Sequence, residues 1–231
     1  MAIKQISLAI TGIEFVTKRG RERVFLDETN LVRGATRLPD ESTIQRFRHR
    51  LAANNLSLQI MAAITATLTK SDLSLETGTV VDATLITATS STMNRSRERC
   101  PEMHQTKKGH QWHFGKAHIR VDAESGLVHS VIGTAANVHD VTQAGDMLHG
   151  EKNLVFGHAG YQGVEKPDQA EQLKASVRAK VEHPFRVLMC QFGFTRGRCK
   201  GLAKNKAQLV SLFALSNLWT VRKRITQGTF G

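Results

Sequence analysis

Three positions carry side chains whose type and setting could do chemistry. Asp82 lies inside the β-branched, apolar run "TVVDATLIT". A carboxylate there is costly to bury unless it is paired or holds a cation. Strand-centred aspartates serve as oxygen ligands in enzymes that cut phosphodiester bonds with two Mg²⁺ ions. A strand-end aspartate, or one paired with a lysine, is the other reading. His158 comes after the short apolar run of "VFGHAGYQGV", and α/β enzymes often place a catalytic side chain at such a strand end. Glu182 lies in "RAKVEHPFR", one turn after Arg178, which by itself is an ordinary helical ion pair.

The remainder of the chain gives Glu182 a second meaning. No acidic residue occurs between it and Gly231, while the stretch carries Arg186, Arg196, Arg198, Lys200, Lys204, Lys206, Arg222, Lys223 and Arg224. A one-signed segment interleaved with Phe192, Phe194 and glycines suits a phosphate backbone. The loop "CPEMHQTKKGHQWH" adds Lys107 and Lys108 as polyanion contacts. Its Cys100, His104, His110 and His113 are irregularly spaced, so zinc is the weaker reading of that loop. Asp122 and Asp140 could support a metal site, although Asp122 stands two residues before a turn and suits turn chemistry better. The GxxGxxG spacing of Gly157, Gly160 and Gly163 is not that of a phosphate-binding loop.

The elements that must position these residues are legible in outline. "LPDESTIQRFRHRLAANN" starts a helix at Pro39 and Asp40, with Ile44, Phe47 and Leu51 at helical spacing, and a second helix covers Leu58 to Thr69. Arg46, Arg48 and Arg50 read as a solvated face of the first. From Gly78 the period changes to that of a strand holding Asp82. "WHFGKAHIRVDAESGLVHSVIGTAA" reads as two strands turning at Glu124-Ser125-Gly126. Residues 138–149 read as helix and "NLVFG" as a fourth short strand. The span from "QAEQLKASV" through Pro184 reads as helix, and "AKNKAQLVSLFALSNLWTVRKR" as a closing amphipathic helix whose leucines, Phe213 and Trp219 pack a core. The sum is a layered α/β fold.

Composition agrees with that chemistry. Lys+Arg 32 against Asp+Glu 20 gives a net charge of +12 over 231 residues, which favours a polyanionic partner. No apolar run approaches the roughly 20 residues of a membrane span. Three cysteines outside CxxC pairs suit a reducing cytosol.

Taken in order, "VVDATLI", "PEMHQTKKG", "FGKAHIRVDAESGLVHSV", "GTAANVHDVTQA", "VFGHAGYQGVEK", "RAKVEHPFRV", "QFGF" and "KGLAKNKAQLVSLFALSNLW" resemble the DDE transposases of bacterial insertion sequences. The resemblance covers roughly residues 38 to 224. It implies an α/β, RNase H-like mixed sheet flanked by helices and preceded by a partial helical region. The implied organisation is a poorly ordered or truncated region at 1–37, a helical DNA-binding-type segment at 38–77, the RNase H-like DDE domain at 78–224 and a tail at 225–231. It further implies strand transfer on double-stranded DNA (terminal inverted repeats and target), a homo-oligomer when active, and a bacterial cytoplasmic, nucleoid-associated location. Three acids would hold two Mg²⁺ (or Mn²⁺) ions. Asp82 matches the first acid and Glu182 the third, both as metal ligands. Arg178, Arg186, Arg196, Arg198, Lys200, Lys204, Lys107 and Lys108 would meet DNA.

The chain also departs from the family pattern. His158 stands where the second aspartate is expected, and Met189 where a lysine is expected. "HFGKAH" is one residue shorter than the family's strand, and only 24 residues separate His158 from Glu182, as though a block were missing after "VEKPD". The expectation is a truncated or degenerate copy with impaired catalysis.

Overall fold

The computed structural model describes residues 41–71, 73, 78–88, 101–105, 111–147, 155–157, 170–172, 175–197, 199 and 201–226. Two helices come first, α1 (Glu41–Ala53) and α2 (Leu56–Lys70), bent by 81° at Asn54-Asn55. Asn55 takes the left-handed conformation (φ 50°), which asparagine tolerates better than most residues, and so lets the chain turn in two residues. On α2, Ser57, Met61, Ile64 and Leu68 are buried at helical spacing. Phe47 of α1, expected at a packing position, is 58% exposed instead.

A sheet comes next, with strands β1 (Thr79–Thr87), β2 (His104–Gln105), β3 (Trp112–Asp122), β4 (Val128–Thr134), β5 (Val155–Gly157) and β6 (Ala170–Gln172). β3 pairs antiparallel with β1 on one side and with β2 and β4 on the other. β5 runs parallel to β1, and β6 parallel to β5. Antiparallel strands on one side of β1, parallel strands on the other and flanking helices make this a mixed α/β, RNase H-like fold. Gly126 (φ +73°) closes the β3–β4 hairpin, where a side chain would be strained.

Pleat parity sorts the sheet into two faces. Val80 and Ile86 of β1, and Ala117, Ile119 and Val121 of β3, join the main core. That core also holds Val181 and Phe185 of α4 (Ala175–Arg186) and Leu209, Leu212, Phe213 and Leu218 of α5 (Leu202–Thr226). The alternate residues face the other way, where Val81 meets Met147 with Ala83 and Ile132 around it. Met147 ends α3 (Ala144–Met147), a single turn preceded by a 3₁₀ turn at Asp140–Gln143. Residues 138–149 were expected to form one helix; among the described residues they give only these two turns. A buried methionine suffices to anchor a segment this short.

Two further expectations need correction. Ala170–Gln172 is a strand, although the surrounding residues read as helix; three residues are too few to show a period, and pairing with β5 decides their state. His104–Gln105 is likewise a short strand within what reads as loop. α4 passes through Pro184, and its continuation relaxes into a π-type turn at Val187–Gln191, with the Phe192 N–H donating to the Val187 carbonyl at 3.1 Å.

Glycines let α5 and the loop before it approach the sheet. A Cβ at Gly133 would meet the Lys206 side chain at 2.6 Å. At Gly197, whose N–H donates to the Thr87 carbonyl at 2.9 Å, a Cβ would overlap the buried Phe114 ring. Gly197→Ala is therefore expected to lower stability by about 1–3 kcal/mol through overpacking. Urea unfolding measures it, and an unchanged midpoint would show that the Phe114 ring yields freely.

Candidate functional site

The site is built from β1 outward. Asp82 has the parity of Val80 and Ile86, so it belongs to the face covered by α4 and α5. Its cross-strand partner, Ile119, is fully buried in the same core. The Asp82 carboxylate is half-buried, and its Oδ1 accepts the Ala83 N–H at 2.8 Å. α4 packs on β1 through Val181 and Phe185, and Glu182 is the exposed residue beside Val181. The fold thus delivers Asp82 and α4 to the same side of the sheet, from positions 100 residues apart in sequence.

The third position is approached through β5. Val155, Phe156 and Gly157 pair with Thr79, Val80 and Val81, so the chain reaches the end of β5 one residue before it would come level with Asp82. His158 is the next residue in sequence and lies outside the described residues, as do Lys107, Lys108, Arg198 and Lys200. Arg178 is in α4, with its side chain also outside them. Arg186, Arg196 and Lys204 are exposed to solvent.

The other carboxylates are accounted for elsewhere. Asp140 pairs with Lys116 at 2.9 Å. Lys116 has the parity of His118, opposite to that of Ile119, so this pair sits across the sheet from Asp82. Asp140 is therefore no substitute for a missing acid beside Asp82. Asp122 does turn chemistry: its Oδ2 accepts the Ser125 N–H at 2.6 Å and also the Ser125 hydroxyl. Of the loop read weakly as a zinc site, His104 and His113 are cross-strand neighbours, while Cys100 and His110 lie outside the described residues. Among the described residues no group of three or more His, Cys, Asp or Glu could hold a metal ion.

The back of the sheet carries a polar cluster that the sequence did not single out. His118 is fully buried and its Nε2 lies 2.8 Å from the Thr134 hydroxyl. Lys116 donates to the Val138 carbonyl at 2.7 Å as well as to Asp140, tying the 3₁₀ turn to β3. Burial lowers the His118 pKa from its ordinary value; Asp140 opposes this and Lys116 reinforces it. A lowered folded pKa means that the unfolded chain binds the proton more readily. Stability from His118 is present above the unfolded pKa of about 6.5 and is lost as pH falls from there through the folded pKa. The expected loss is up to about 1.4 kcal/mol per pH unit in that window. Urea titrations across it should show the slope, and His118→Gln should flatten it. An unaltered slope would assign the acid sensitivity to other groups, such as His113, whose pKa burial also lowers.

Residues 73–177 match the family described as Transposase DDE domain. The match includes Asp82 and His158 and ends five residues before Glu182. No solved structure matches the chain. Among the described residues no single helix is long and apolar enough to cross a membrane. Residues 73–177, which hold the antiparallel-then-parallel sheet around Asp82, are thus similar to the transposase DDE domain family, consistent with an insertion-sequence DDE transposase.

Proposed function

We propose that the chain is a DNA transposase by descent, with Asp82 and Glu182 as the surviving metal ligands and His158 in the place of the second acid. The observation that supports this reading is the placement of Asp82 on the α4 face of β1. In the family's chemistry, divalent ions activate a water and then a 3′-hydroxyl for in-line attack at phosphorus. The donor set of this chain does not fit two Mg²⁺ ions. Two carboxylates suit a hard cation, but an imidazole is a poor Mg²⁺ ligand and serves Mn²⁺ better. Catalysis by the unmodified chain is therefore impaired.

The substrate in this reading is double-stranded DNA carrying inverted repeats and a target, held by the acid-free stretch after Glu182 and by Lys107 and Lys108, with a second copy of the chain completing the active assembly. The helical segment 38–77 would contribute DNA contacts ahead of the catalytic region at 78–224. The test is metal-dependent strand cleavage of DNA bearing the inverted repeats that flank the chain's own gene. Efficient cleavage by the unmodified protein would refute impairment.

A second reading keeps the basic surface and drops the catalysis: a DNA-binding remnant that competes with an intact transposase for transposon ends. Exposed Arg186, Arg196 and Lys204 favour it independently of position 158. Binding that weakens steeply between about 50 and 200 mM salt, without any cleavage, is its signature. Absence of binding at the lower salt would leave an inert fragment.

A further inference from the structure

We propose that His104 and His113 form a binding site for one imidazole-preferring divalent transition ion, of the Zn²⁺ or Ni²⁺ kind, at the base of the β2–β3 hairpin. The site is separate from the carboxylates at Asp82 and Glu182 and does not depend on the DNA-acting reading.

Strand register places the pair. His104 of β2 and His113 of β3 stand directly opposite one another. Directly opposite residues of antiparallel strands point to the same face, with Cβ atoms about 4.5–5.5 Å apart. From that spacing two imidazoles can each bring a ring nitrogen to one ion at about 2.0–2.1 Å. Trp112 and Phe114, on either side of His113, pack into the main core, so His113 points the other way. It stands across from Thr87 of β1, whose parity is opposite to that of Asp82. The sheet therefore lies between this pair and the candidate carboxylates.

A second observation singles out His113. It is 7% exposed, and its Nδ1 is buried without a hydrogen-bond partner. Such an orphaned atom is costly, and folded proteins satisfy nearly all of them. His118, further along the same strand, is the contrast: it is fully buried but has the Thr134 hydroxyl at 2.8 Å. What stands opposite His113 is a second imidazole, half-buried and so open to solvent on one side. Imidazole nitrogen suits Zn²⁺, Ni²⁺ and Cu²⁺ and is a poor ligand for Mg²⁺. Two protein ligands leave the remaining positions on the ion to water.

An ion here would act on the hairpin. β2 is two residues long, below the usual length of a strand, so its ladder alone holds it weakly. A shared ion would clamp β2 to β3 and fix both ends of the connection at residues 106–111, which includes Lys107 and Lys108.

The experiment titrates the full, untagged chain with Zn²⁺ and with Ni²⁺ by isothermal calorimetry, in excess Mg²⁺ to occupy oxygen ligands. The expected result is one ion per chain, with a rise in the thermal midpoint. His104→Ala and His113→Ala should each weaken binding by at least about 10-fold, the lower end of what loss of an outer hydrogen-bond partner of a ligand costs. His104→Cys offers a thiolate that Zn²⁺ accepts, so it should keep Zn²⁺ binding, whereas His104→Asn should not. A purely structural role for His104 would not separate those two variants. Circular dichroism checks folding, and the half-buried position 104 keeps the test decisive if His113→Ala unfolds. An unmodified chain that takes up neither ion overturns the site. Undiminished binding by a folded His104→Ala chain overturns it as well, in favour of Cys190, Cys199 or the other histidines. Either failure leaves the DNA reading to be judged by cleavage.

Discussion

Replacing His158 by aspartate is expected to raise Mg²⁺-dependent strand cleavage by about 10²–10³-fold, the range seen when one electrostatic contact to developing charge is gained or lost. The change restores an anionic oxygen donor at the position in sequence where the second aspartate is expected. Cleavage would be measured on DNA bearing the inverted repeats, with Mg²⁺ and with Mn²⁺. The unmodified chain should do relatively better with Mn²⁺, because imidazole is an acceptable ligand for that ion. Adding Asp82→Asn to the His158→Asp chain should return activity to baseline, which ties any gain to the carboxylate pair.

The same experiment judges the short segment between the second and third positions. Its shortness in sequence suggests lost material, yet β6 still forms and pairs in parallel with β5. A parallel crossover needs about a dozen residues, and residues 158–169 supply that length. Recovery with His158→Asp alone would show the shortening to be harmless. Absence of recovery would favour the DNA-binding remnant.

Asn217→Ala is expected to cost about 2–6 kcal/mol of stability, a large effect for a single polar side chain. Asn217 is 2% exposed on α5, and its side-chain amide copies one rung of a β-ladder. Oδ1 accepts the Val128 N–H at 2.8 Å, and Nδ2 donates to the Val128 carbonyl at 2.7 Å. Alanine would orphan both backbone groups at once in a fully buried setting, each at about 1–3 kcal/mol. Asn217→Asp tests the cause: it keeps the acceptor, loses the donor and buries a charge, so it should also destabilise. Urea unfolding with an unchanged slope and a lower midpoint is the expected result. A midpoint within error of wild type would mean that water replaces the amide at Val128.

Much of the fold was legible because its periods are long enough to read. β1, the β3–β4 hairpin with its turn at Glu124-Ser125-Gly126, α1, α2 and α5 all stand where their apolar spacing places them. The closing helix buries Leu209, Leu212, Phe213 and Leu218, with Leu215 and Trp219 partly covered. Legibility failed where elements are short or where a partner decides. β2 and β6 are two and three residues long, and their neighbours' exposed hydrogen-bonding groups, not any local pattern, make them strands. Phe47 has helical spacing but faces solvent, since spacing shows that a face exists and not what covers it.

The candidate site divides in the same way. The sequence by itself determined the chemical inventory: a carboxylate within an apolar strand at Asp82, an imidazole after a strand at His158, a carboxylate opening an acid-free stretch at Glu182. Local composition suffices for this because desolvation makes an acid in an apolar run conspicuous wherever it ends up. Only the tertiary structure decided which acids share a face. Pleat parity and strand register put Asp82 on the side of α4 and sent Asp140 to Lys116 on the other side. Register, parity and packing are relations between distant segments, and no window of sequence contains them.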